Sequence, residues 1–181
     1  MIKTFASRTD AEHVFAQLPP VGGPEKSAPA FIRAVTSWTP RSATGGLVLL
    51  GPTGTGKTTA AVHLVKLALA RWEIATSTLF ALASDLAEDR DLAERAKRVR
   101  FLVLDDLGKE KDQFNRIFQV LDHRHTRNPT FITCGINPGD LTSHYDGAML
   151  RRVFEFRGAK VQSVSTFKTQ SLPRAAQVGQ A

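Results

Sequence analysis

Residues 51–58 read GPTGTGKT, and the apolar run Leu47–Leu50 precedes them directly. Gly51, Gly54 and Gly56 have no Cβ atom, so the backbone can turn sharply and point successive amides at one anionic ligand. The residues after the lysine are strong helix formers, which brings the positive end of a helix to the same point. A short buried strand, a glycine-rich turn and a helix in this order predict a phosphate-binding loop, or P-loop.

The positions of this loop have separate chemical tasks. The Lys57 ammonium can reach the β- and γ-phosphates of a nucleotide, and the Thr58 hydroxyl can bind Mg2+. ATP with Mg2+ is therefore the predicted ligand. The residues that we assign to nucleotide binding are Gly51, Pro52, Thr53, Gly54, Thr55, Gly56, Lys57, Thr58 and Thr59.

A second candidate element is the segment FLVLDDLG, residues 101–108. Its apolar residues indicate a buried strand, and Asp105 and Asp106 follow where that strand ends. Asp105 is the candidate for holding Mg2+ through its water shell, and Asp106 for orienting or deprotonating the attacking water. Solvated carboxylates in a strand-end turn are the alternative interpretation.

Further candidates lie nearer the C-terminus. Asn137 follows the apolar segment FITCGI and could bridge the γ-phosphate and the attacking water, although an asparagine before a proline is also a common turn former. Thr133 is the rival for the same role. Arg151 and Arg152 end a helical stretch, and one of them could project toward the nucleotide of a neighbouring subunit, with solvent exposure as the alternative.

The rest of the chain alternates between helical and strand-like segments. Helices are predicted at residues 10–18, 30–38, 57–71, 84–98 and 114–121, and strands at residues 47–50, 74–80, 99–106 and 129–137, with a further helix and strand between residues 140 and 161. This alternation predicts an α/β fold with a mostly parallel sheet that is flanked by helices and binds ligands at the carboxyl ends of its strands. The predicted units are lead-in helices and a loop at 1–45, a core at 46–162 with no separate C-terminal lid domain, and a basic, flexible tail at 163–181.

The composition narrows the class of protein. Of the 181 residues, 42% are hydrophobic and 23% are charged, as in soluble folded domains. No run of about eighteen apolar residues and no signal-peptide pattern occurs, so we expect a cytoplasmic protein without a membrane span. Cys134 lies in an apolar run and is predicted to be a small buried side chain, and the histidines lack the spacing of a transition-metal site.

The net charge of +7 is concentrated in the flanks. Residues 1–50 carry five basic and three acidic side chains, residues 51–156 carry fifteen and fourteen, and residues 157–181 carry four and none. Such an excess suits contact with nucleic-acid phosphates, but many proteins use the same charge for solubility alone. Charge by itself therefore leaves DNA binding open.

Two more segments complete a recognisable pattern. They are LDHRHTRNPTFITCGIN at residues 121–137 and YDGAMLRRVFE at residues 145–155. With GPTGTGKT and FLVLDDLG in this order, the chain resembles the AAA+ ATPases of the DnaC helicase-loader and IstB transposition-helper group over residues 46–155. The double aspartate before Leu-Gly is typical of that group, and so is an arginine shortly before a Pro-Thr strand, here Arg124.

The resemblance implies roles for individual residues. Lys57 and Thr58 match the group's Walker A motif, and Asp105 and Asp106 match Walker B. Asn137 matches the sensor 1 position, for which Thr133 is the alternative. Arg152 matches the arginine finger, and Arg151 stands where the group has a serine. The catalytic residues implied in this way are Asp106, Asn137 and Arg152, and the Mg2+ ligands are Thr58 and Asp105.

The same resemblance implies a function. We expect an ATP-hydrolysing DNA-replication accessory protein, similar to a helicase loader, that acts on single-stranded DNA or a replicative helicase and forms a homo-oligomer when ATP is bound. One alternative is an IstB-like ATPase that delivers a transposase to DNA. Another is a nucleotide-gated binding module with negligible hydrolysis, because Asp106 is shorter than glutamate and no sensor 2 arginine matches.

Overall fold

The structure is a computed structural model that describes residues 14–38, 46–71, 77–110, 114–137, 139–155 and 160–163. The strands are β1 (Leu47–Leu50), β2 (Thr78–Leu82), β3 (Phe101–Leu107), β4 (Thr130–Cys134) and β5 (Lys160–Ser163). The helices are α1 (Pro29–Ser37), α2 (Lys57–Arg71), α3 (Ala83–Glu88), α4 (Arg90–Arg98), α5 (Phe114–Arg124), α6 (Leu141–His144) and α7 (Gly147–Phe154). A single 3-10 turn, Pro24–Lys26, precedes α1.

The strands form one five-stranded sheet in the order β2-β3-β4-β1-β5. All of the neighbouring strands run parallel. The prediction of a parallel α/β sheet flanked by helices is confirmed, and the described residues contain no separate lid domain. The order places β4 between the strand that leads into the P-loop and the strand that carries the aspartates. Thr133 on β4 is in register with Leu49 on β1.

Each face of the sheet is covered by its own hydrophobic core. Alternate strand residues supply the two cores, as the period of a β-strand requires. One core joins α1 and α2 to Leu49, Val103 and Phe131, and the other joins the remaining helices to Leu104 and Ile132. In the first core, the Trp38 ring meets the Phe131 ring edge-on at a centroid distance of 4.6 Å. The lead-in helix α1 therefore packs directly on the sheet.

Several predicted boundaries differ from the structure. The strand predicted at residues 74–80 lies at Thr78–Leu82, and residues 72–76 are outside the described part of the chain. The charged stretch predicted as one helix is two, because the Asp89 carboxylate accepts hydrogen bonds from the backbone N–H groups of Asp91 and Leu92 and starts α4. Of the helix predicted at residues 10–18, residues 14–16 are helical and residues 10–13 lie outside the described residues, as does the tail from residue 164.

A buried arginine joins the turns that lead into β3 and β4. The Arg124 side chain is fully buried, and burial lowers its pKa to about 10, which leaves it charged at neutral pH. Its Nε donates to Thr130 Oγ1 at 2.9 Å. One terminal nitrogen donates to the carbonyl oxygens of Ala96 (2.8 Å) and Val99 (2.6 Å). The other terminal nitrogen donates to the carbonyl oxygens of Pro129 (2.7 Å) and Arg100 (3.4 Å). Arg124, which the resemblance to the DnaC and IstB group singled out, is therefore an architectural residue at the amino ends of these strands.

Candidate nucleotide-binding and hydrolysis site

The P-loop has the conformation that its glycines permit. Gly54 and Gly56 have φ angles of 84° and 78°, a region that residues with a Cβ atom rarely adopt. A Cβ atom at Gly56 would lie 2.3 Å from the carbonyl oxygen of Lys26, so this glycine also lets the chain before α1 pack against the loop. The Ala28 N–H donates to the Thr55 carbonyl at 3.0 Å, which fastens the loop from the outside.

Lys57 lies at the start of α2 and is 6% exposed. Its ammonium donates to the carbonyl oxygens of Gly51 (2.8 Å) and Pro52 (3.0 Å). Burial lowers the pKa of Lys57, and Asp106 and Asp105 partly offset that effect. Among the described residues, the hydrogen-bond acceptors of this ammonium are neutral carbonyls, and a phosphate would be a stronger partner than either of them.

Thr58 connects the P-loop to the first aspartate. Its hydroxyl lies 2.9 Å and 3.1 Å from the two carboxylate oxygens of Asp105. Asp105 is 2% exposed, and burial is the main cause that raises its pKa. Hydrogen bonds from Thr133 and Thr58 act in the opposite direction, and the charge of Asp106 raises the pKa further. A buried carboxylate with no cation bonded to it is costly, and it favours the arrival of one.

An irregularity in the pairing of β3 and β4 brings both aspartates to one place. The register passes from Leu104↔Ile132 directly to Leu107↔Cys134. Asp105 and Asp106 therefore share Thr133 as the residue opposite them, which is a β-bulge. Asp106 takes up the extra residue with a φ angle of 59°, the one positive value among the described non-glycine residues. Leu107 consequently packs on the opposite sheet face from Val103, although simple alternation would place the two together.

Thr133 holds the two aspartates in this arrangement. Its hydroxyl donates to one Asp105 carboxylate oxygen at 2.5 Å and accepts the Asp106 N–H at 2.9 Å. The Thr133 side chain is buried. One hydroxyl on the middle strand therefore sets the position of the Asp105 carboxylate and of the Asp106 backbone.

Asp106 is partly exposed and already has a partner. One of its carboxylate oxygens accepts a hydrogen bond from the Lys109 ammonium at 2.6 Å, and the Lys109 N–H donates to the Asp106 carbonyl at 3.2 Å. The hydrogen bond that the Lys109 ammonium donates to Asp106 raises the pKa of Lys109. Lys109 is also close enough to Lys57 to lower the pKa of that buried ammonium. Two lysines and two aspartates thus form one charged group at the carboxyl edge of the sheet.

The turn after β3 is anchored by a buried glutamate. Glu110 accepts a hydrogen bond from the Gly108 N–H at 2.8 Å and another from the Tyr145 hydroxyl. Burial, and then Glu110, raise the pKa of Tyr145. Gly108 has a φ angle of 101°, and Ile136 fills the space where its side chain would be. The segment before α7 is therefore linked to the loop that carries Asp106 and Lys109.

Asn137 lies beyond the end of β4, in an exposed turn. Its side-chain amide donates to an Asp140 carboxylate oxygen at 3.4 Å, and its carbonyl accepts the Asp140 N–H at 2.9 Å. The structure thus joins Thr133, and not Asn137, to Asp105 and Asp106. The assignment of sensor 1 to Asn137 remains a prediction.

Arg151 and Arg152 lie in the last turn of α7. The Arg152 guanidinium donates to an Asp122 carboxylate oxygen on α5 at 2.6 Å, whereas Arg151 is exposed. The sequence predicted no acid for Arg152 apart from Glu155, because Asp122 is distant along the chain. Neither arginine has a described contact with the P-loop or with Asp105 and Asp106 of its own chain.

The site fits a nucleotide with Mg2+ in the chemistry of its donors. Mg2+ on a P-loop takes one hydroxyl and one carboxylate, directly or through water, and completes its shell with phosphate oxygens and water. Thr58 and Asp105 supply that pair and already lie within hydrogen-bonding distance of each other. The described residues contain no group of three or more His, Cys, Asp or Glu side chains arranged around a metal. Cys134, predicted to be buried, is buried, and burial raises its pKa.

The sequence profile of the family described as IstB-like ATP binding protein matches residues 32–154, more than half of the chain. The chain belongs to this family. The family profile covers the P-loop, both aspartates and Arg152, and it begins inside α1. The resemblance to the IstB and DnaC group of AAA+ proteins is thereby confirmed. A search of curated protein sequences found no match.

Solved structures share the fold. The DnaC helicase loader superimposes with a TM-score of 0.55 at 23% identity, over 72% of this chain and 85% of that one. A putative primosome component from Streptococcus pyogenes serotype M3 gives 0.58 at 20% identity, over 90% and 84%. A DNA replication initiation factor gives 0.55 at 18% identity, over 74% of this chain but 43% of its own. At these identities the likeness concerns the fold.

Sequence reasoning missed several residues of the site. Lys109 has a usable signal, since a lysine three positions after an acid in a turn can reach back to it. Glu110 and Tyr145 have none, because 35 residues separate them. The bulge at Asp106 has only a weak signal, since aspartate adopts a positive φ angle more often than most residues, but glycine is the usual marker.

No helix among the described residues is long and apolar enough to cross a membrane.

Proposed function

We propose that this chain is an ATP-hydrolysing subunit whose site lies at the carboxyl ends of β1, β3 and β4. The observation that carries the proposal is the run of contacts from Thr58 through Asp105 and Thr133 to Asp106. A loop that only bound phosphate would need the lysine and the backbone amides, but no second carboxylate beside the metal-binding one. The bulge in β3 supplies that second carboxylate.

The reaction is the attack of water on the γ-phosphorus of ATP. A bond forms between the water oxygen and phosphorus, the bond to the β,γ-bridging oxygen breaks, and ADP and phosphate leave. Asp106 orients the water and accepts its proton, and Lys57 neutralises the phosphate charge. Thr133 serves as the sensor residue, because it contacts both acids. Mg2+, when bound, withdraws charge from the phosphate oxygens, and Thr58 and Asp105 are the residues that hold it.

The test is ATP turnover by the purified protein, with and without single-stranded DNA. We expect Lys57→Ala to abolish turnover, and Asp106→Asn to reduce it by about 100-fold or more while ATP remains bound. Lys66→Ala is the matched control, since Lys66 is an exposed lysine on the same helix. A wild-type protein that turns over no ATP under either condition contradicts the proposal.

We propose that a neighbouring subunit completes the site with an arginine from α7. Arg152 matches the family position, and its exposed ion pair with Asp122 is weak enough to open on assembly. Mixing experiments test this proposal. Lys57→Ala and Arg152→Ala chains are each expected to be inactive alone, but their mixture regains turnover, because the first supplies the arginine and the second an intact P-loop. Arg151 is the alternative for this role. It would be the arginine finger if Arg152→Ala remained active while Arg151→Ala was inactive alone and regained turnover when mixed with Lys57→Ala.

We propose that the subunit acts with DNA during replication, as a helicase loader does. Exposed arginines on and after α4 support this part of the proposal. Arg95, Arg98 and Arg100 form no ion pair with any described residue. Arg95 and Arg98 line a cleft of about 530 Å3 together with Ser77, Arg90, Asp91, Glu94 and Val99. Guanidinium groups of this kind bind phosphates in an extended chain.

The DNA proposal is tested by a salt titration of single-stranded DNA binding. We expect affinity to fall steeply with salt, and the slope to decrease by about 1 for each phosphate contact that is lost in Arg95→Ala or Arg98→Ala. Arg33→Ala, an exposed arginine on α1, is the control and is expected to leave the slope unchanged. Absence of DNA affinity at low salt contradicts this part of the proposal without affecting ATP hydrolysis.

A transposition helper is the second candidate function. The family description, IstB-like ATP binding protein, supports it only at the level of the family, as it does the helicase-loader function. Such a subunit would bind duplex DNA and a transposase, whereas a helicase loader would bind single strands and a replicative helicase. Competition between single-stranded and duplex DNA, together with co-purification of each partner, distinguishes the two functions.

A nucleotide-gated binding module with negligible ATP turnover is the third candidate function. The ion pair between Asp106 and Lys109 favours it, because the ammonium occupies a carboxylate oxygen that would otherwise be available to orient the attacking water. Tight ATP binding with no measurable phosphate release, in the presence and absence of DNA, would select this candidate.

A further inference from the structure

Lys109 lies where a second cation for the terminal phosphate would be useful. It follows Asp106 by three residues, and its ammonium is bonded to the Asp106 carboxylate at 2.6 Å. Its influence on the pKa of Lys57 places it within electrostatic reach of the P-loop lysine. Lys57 is the other described lysine of this charged group, and its ammonium is turned toward the loop carbonyls.

The Lys109 side chain is 61% exposed, and that of Asp106 is 30% exposed. Water competes for both groups, so this ion pair is weak and can open at little cost. The lysine stem is flexible and its ammonium has three N–H donors, which allows it to move between neighbouring acceptors. A terminal phosphate carries more charge than a carboxylate and attracts the ammonium more strongly.

We propose that Lys109 exchanges between two partners: it bonds to Asp106 while no γ-phosphate is present, and it moves to the γ-phosphate when a triphosphate binds, which releases the Asp106 carboxylate to orient water. Lys109 is thus a positioning residue that senses the third phosphate. This inference rests on the proposed nucleotide binding by the P-loop. It does not require that turnover be fast.

The exchange has a thermodynamic signature that separates ATP from ADP. A triphosphate gains the bond to Lys109 and loses the ion pair to Asp106, whereas a diphosphate exchanges neither. Lys109→Met should therefore weaken binding of a non-hydrolysable ATP analogue by about 10-fold and change ADP binding by less than about 2-fold. Lys109→Arg should retain most of the preference for the triphosphate, since it keeps the positive charge.

The chain contains a matched control for loss of a lysine ion pair. Lys97 bonds to Glu94 on α4 with the same three-residue separation and the same 2.6 Å distance, but α4 leads into the amino end of β3, whereas the P-loop follows the carboxyl end of β1. Lys97→Met should leave the affinities for both nucleotides unchanged. A general effect of removing one surface charge would appear in both variants, and the exchange would appear only in Lys109→Met.

A double-mutant cycle tests the competition with Asp106. Asp106→Asn removes the competing carboxylate, so the ATP analogue should bind several-fold more tightly while ADP binding changes little. In the Asp106→Asn, Lys109→Met double variant that gain should disappear. A gain that persists in the double variant would mean simple repulsion between Asp106 and phosphate, and it would overturn the exchange.

The measurements are equilibrium titrations of fluorescent ATP-analogue and ADP derivatives in the presence of Mg2+, with thermal unfolding as a check on folding. Equal losses for the two nucleotides in Lys109→Met, or no loss, contradict the role of Lys109. If the wild-type chain binds neither nucleotide, the proposed function is wrong, and the two failures are therefore distinguishable.

Discussion

Arg124 at the amino end of the parallel sheet and Asp105 at the carboxyl end are both buried charged side chains, and neither forms an ion pair with another described residue, but their hydrogen bonding differs. At the amino end, the five N–H groups of the Arg124 guanidinium have five oxygen acceptors. At the carboxyl end, the Asp105 carboxylate receives hydroxyl groups from Thr58 and Thr133. Each hydroxyl has one hydrogen to donate, so two oxygens with about four acceptor positions are left partly unsatisfied.

This difference separates a structural charge from a functional one. A fully satisfied guanidinium has no capacity for a ligand, and it rigidifies the turns that supply its acceptors. A buried carboxylate with remaining lone pairs has a raised pKa and a favourable interaction with any cation that reaches it. The Arg124 hydrogen bonds hold together the turns at the amino end of the sheet, whereas at the carboxyl end Thr58 and Thr133 leave acceptor positions of Asp105 unsatisfied.

The largest expected effect is on the free energy of unfolding, at the amino end of the sheet. Arg124→Met should lower the free energy of unfolding by at least about 3 kcal/mol, since it leaves several buried carbonyls without donors. Arg124→Lys should recover part of this loss at most, because an ammonium has three donors in place of five. Urea unfolding of the nucleotide-free protein measures both, with the exposed Arg100→Met as the control. A loss below 1 kcal/mol in Arg124→Met would contradict the architectural role.

Thr133→Val should have the next largest effect, because it removes the hydroxyl that the two aspartates share. We expect a loss of about 1–3 kcal/mol in the free energy of unfolding, since the Asp106 N–H loses its acceptor. Turnover of ATP should fall as well. Thr133→Ser keeps the hydroxyl and should restore turnover even where stability is not fully recovered, and a serine variant as inactive as the valine variant would argue against the bridging role.

Asp105→Asn should affect binding more than stability. The uncharged amide removes a costly buried charge, so the stability of the nucleotide-free protein should stay within about 1 kcal/mol of the wild type at neutral pH or increase. Binding of ATP that depends on Mg2+ should weaken by about 10-fold or more. Titrations with and without EDTA measure the difference, and equal ATP binding under both conditions in the wild type would exclude a metal role for Asp105.

The same residue predicts a pH dependence. The folded pKa of Asp105 is raised above its ordinary value of 3.8, so between these two values the folded state binds more protons than the unfolded state. Its contribution to stability is therefore greatest below the ordinary value and decreases as pH rises through the folded pKa. The unfolding free energy of Asp105→Asn should lack this component, and the difference between the two pH profiles gives the folded pKa.

The smallest effect is expected for an exposed pair. Breaking the bond between Arg152 and Asp122 with Asp122→Ala should change the free energy of unfolding by less than about 1 kcal/mol, since solvent screens both groups. A larger loss would mean that Arg152 is held by its own chain too firmly to serve a neighbouring subunit.

Much of the fold could be predicted from local sequence patterns. The P-loop pattern and the alternation of apolar runs with helical segments predicted the strand Leu47–Leu50, the helix Lys57–Arg71 and a parallel sheet. Boundaries were less accurate where a single capping side chain decided them, as Asp89 did at the start of α4. Helix periodicity describes which face is buried, but it does not reveal a cap between two helices of similar composition.

The site was predictable in its composition but not in its geometry. Lys57, Thr58, Asp105 and Asp106 follow from motifs because the chemistry depends on neighbours along the chain. Which of Thr133 and Asn137 lies opposite Asp105 and Asp106 depends on how β4 pairs with β3. That choice required the register of two strands that are not adjacent in sequence.

What the sequence by itself determined is a phosphate-binding loop with two acids on another strand, since glycines, a lysine and a strand-end acid pair act through local backbone geometry and charge. What only the tertiary structure decided is that one threonine joins these acids, that Lys109 already occupies the second acid, and that Arg124 is structural. Each of these depends on contacts between distant segments, whose distances arise from packing and strand register and leave no regular pattern along the chain.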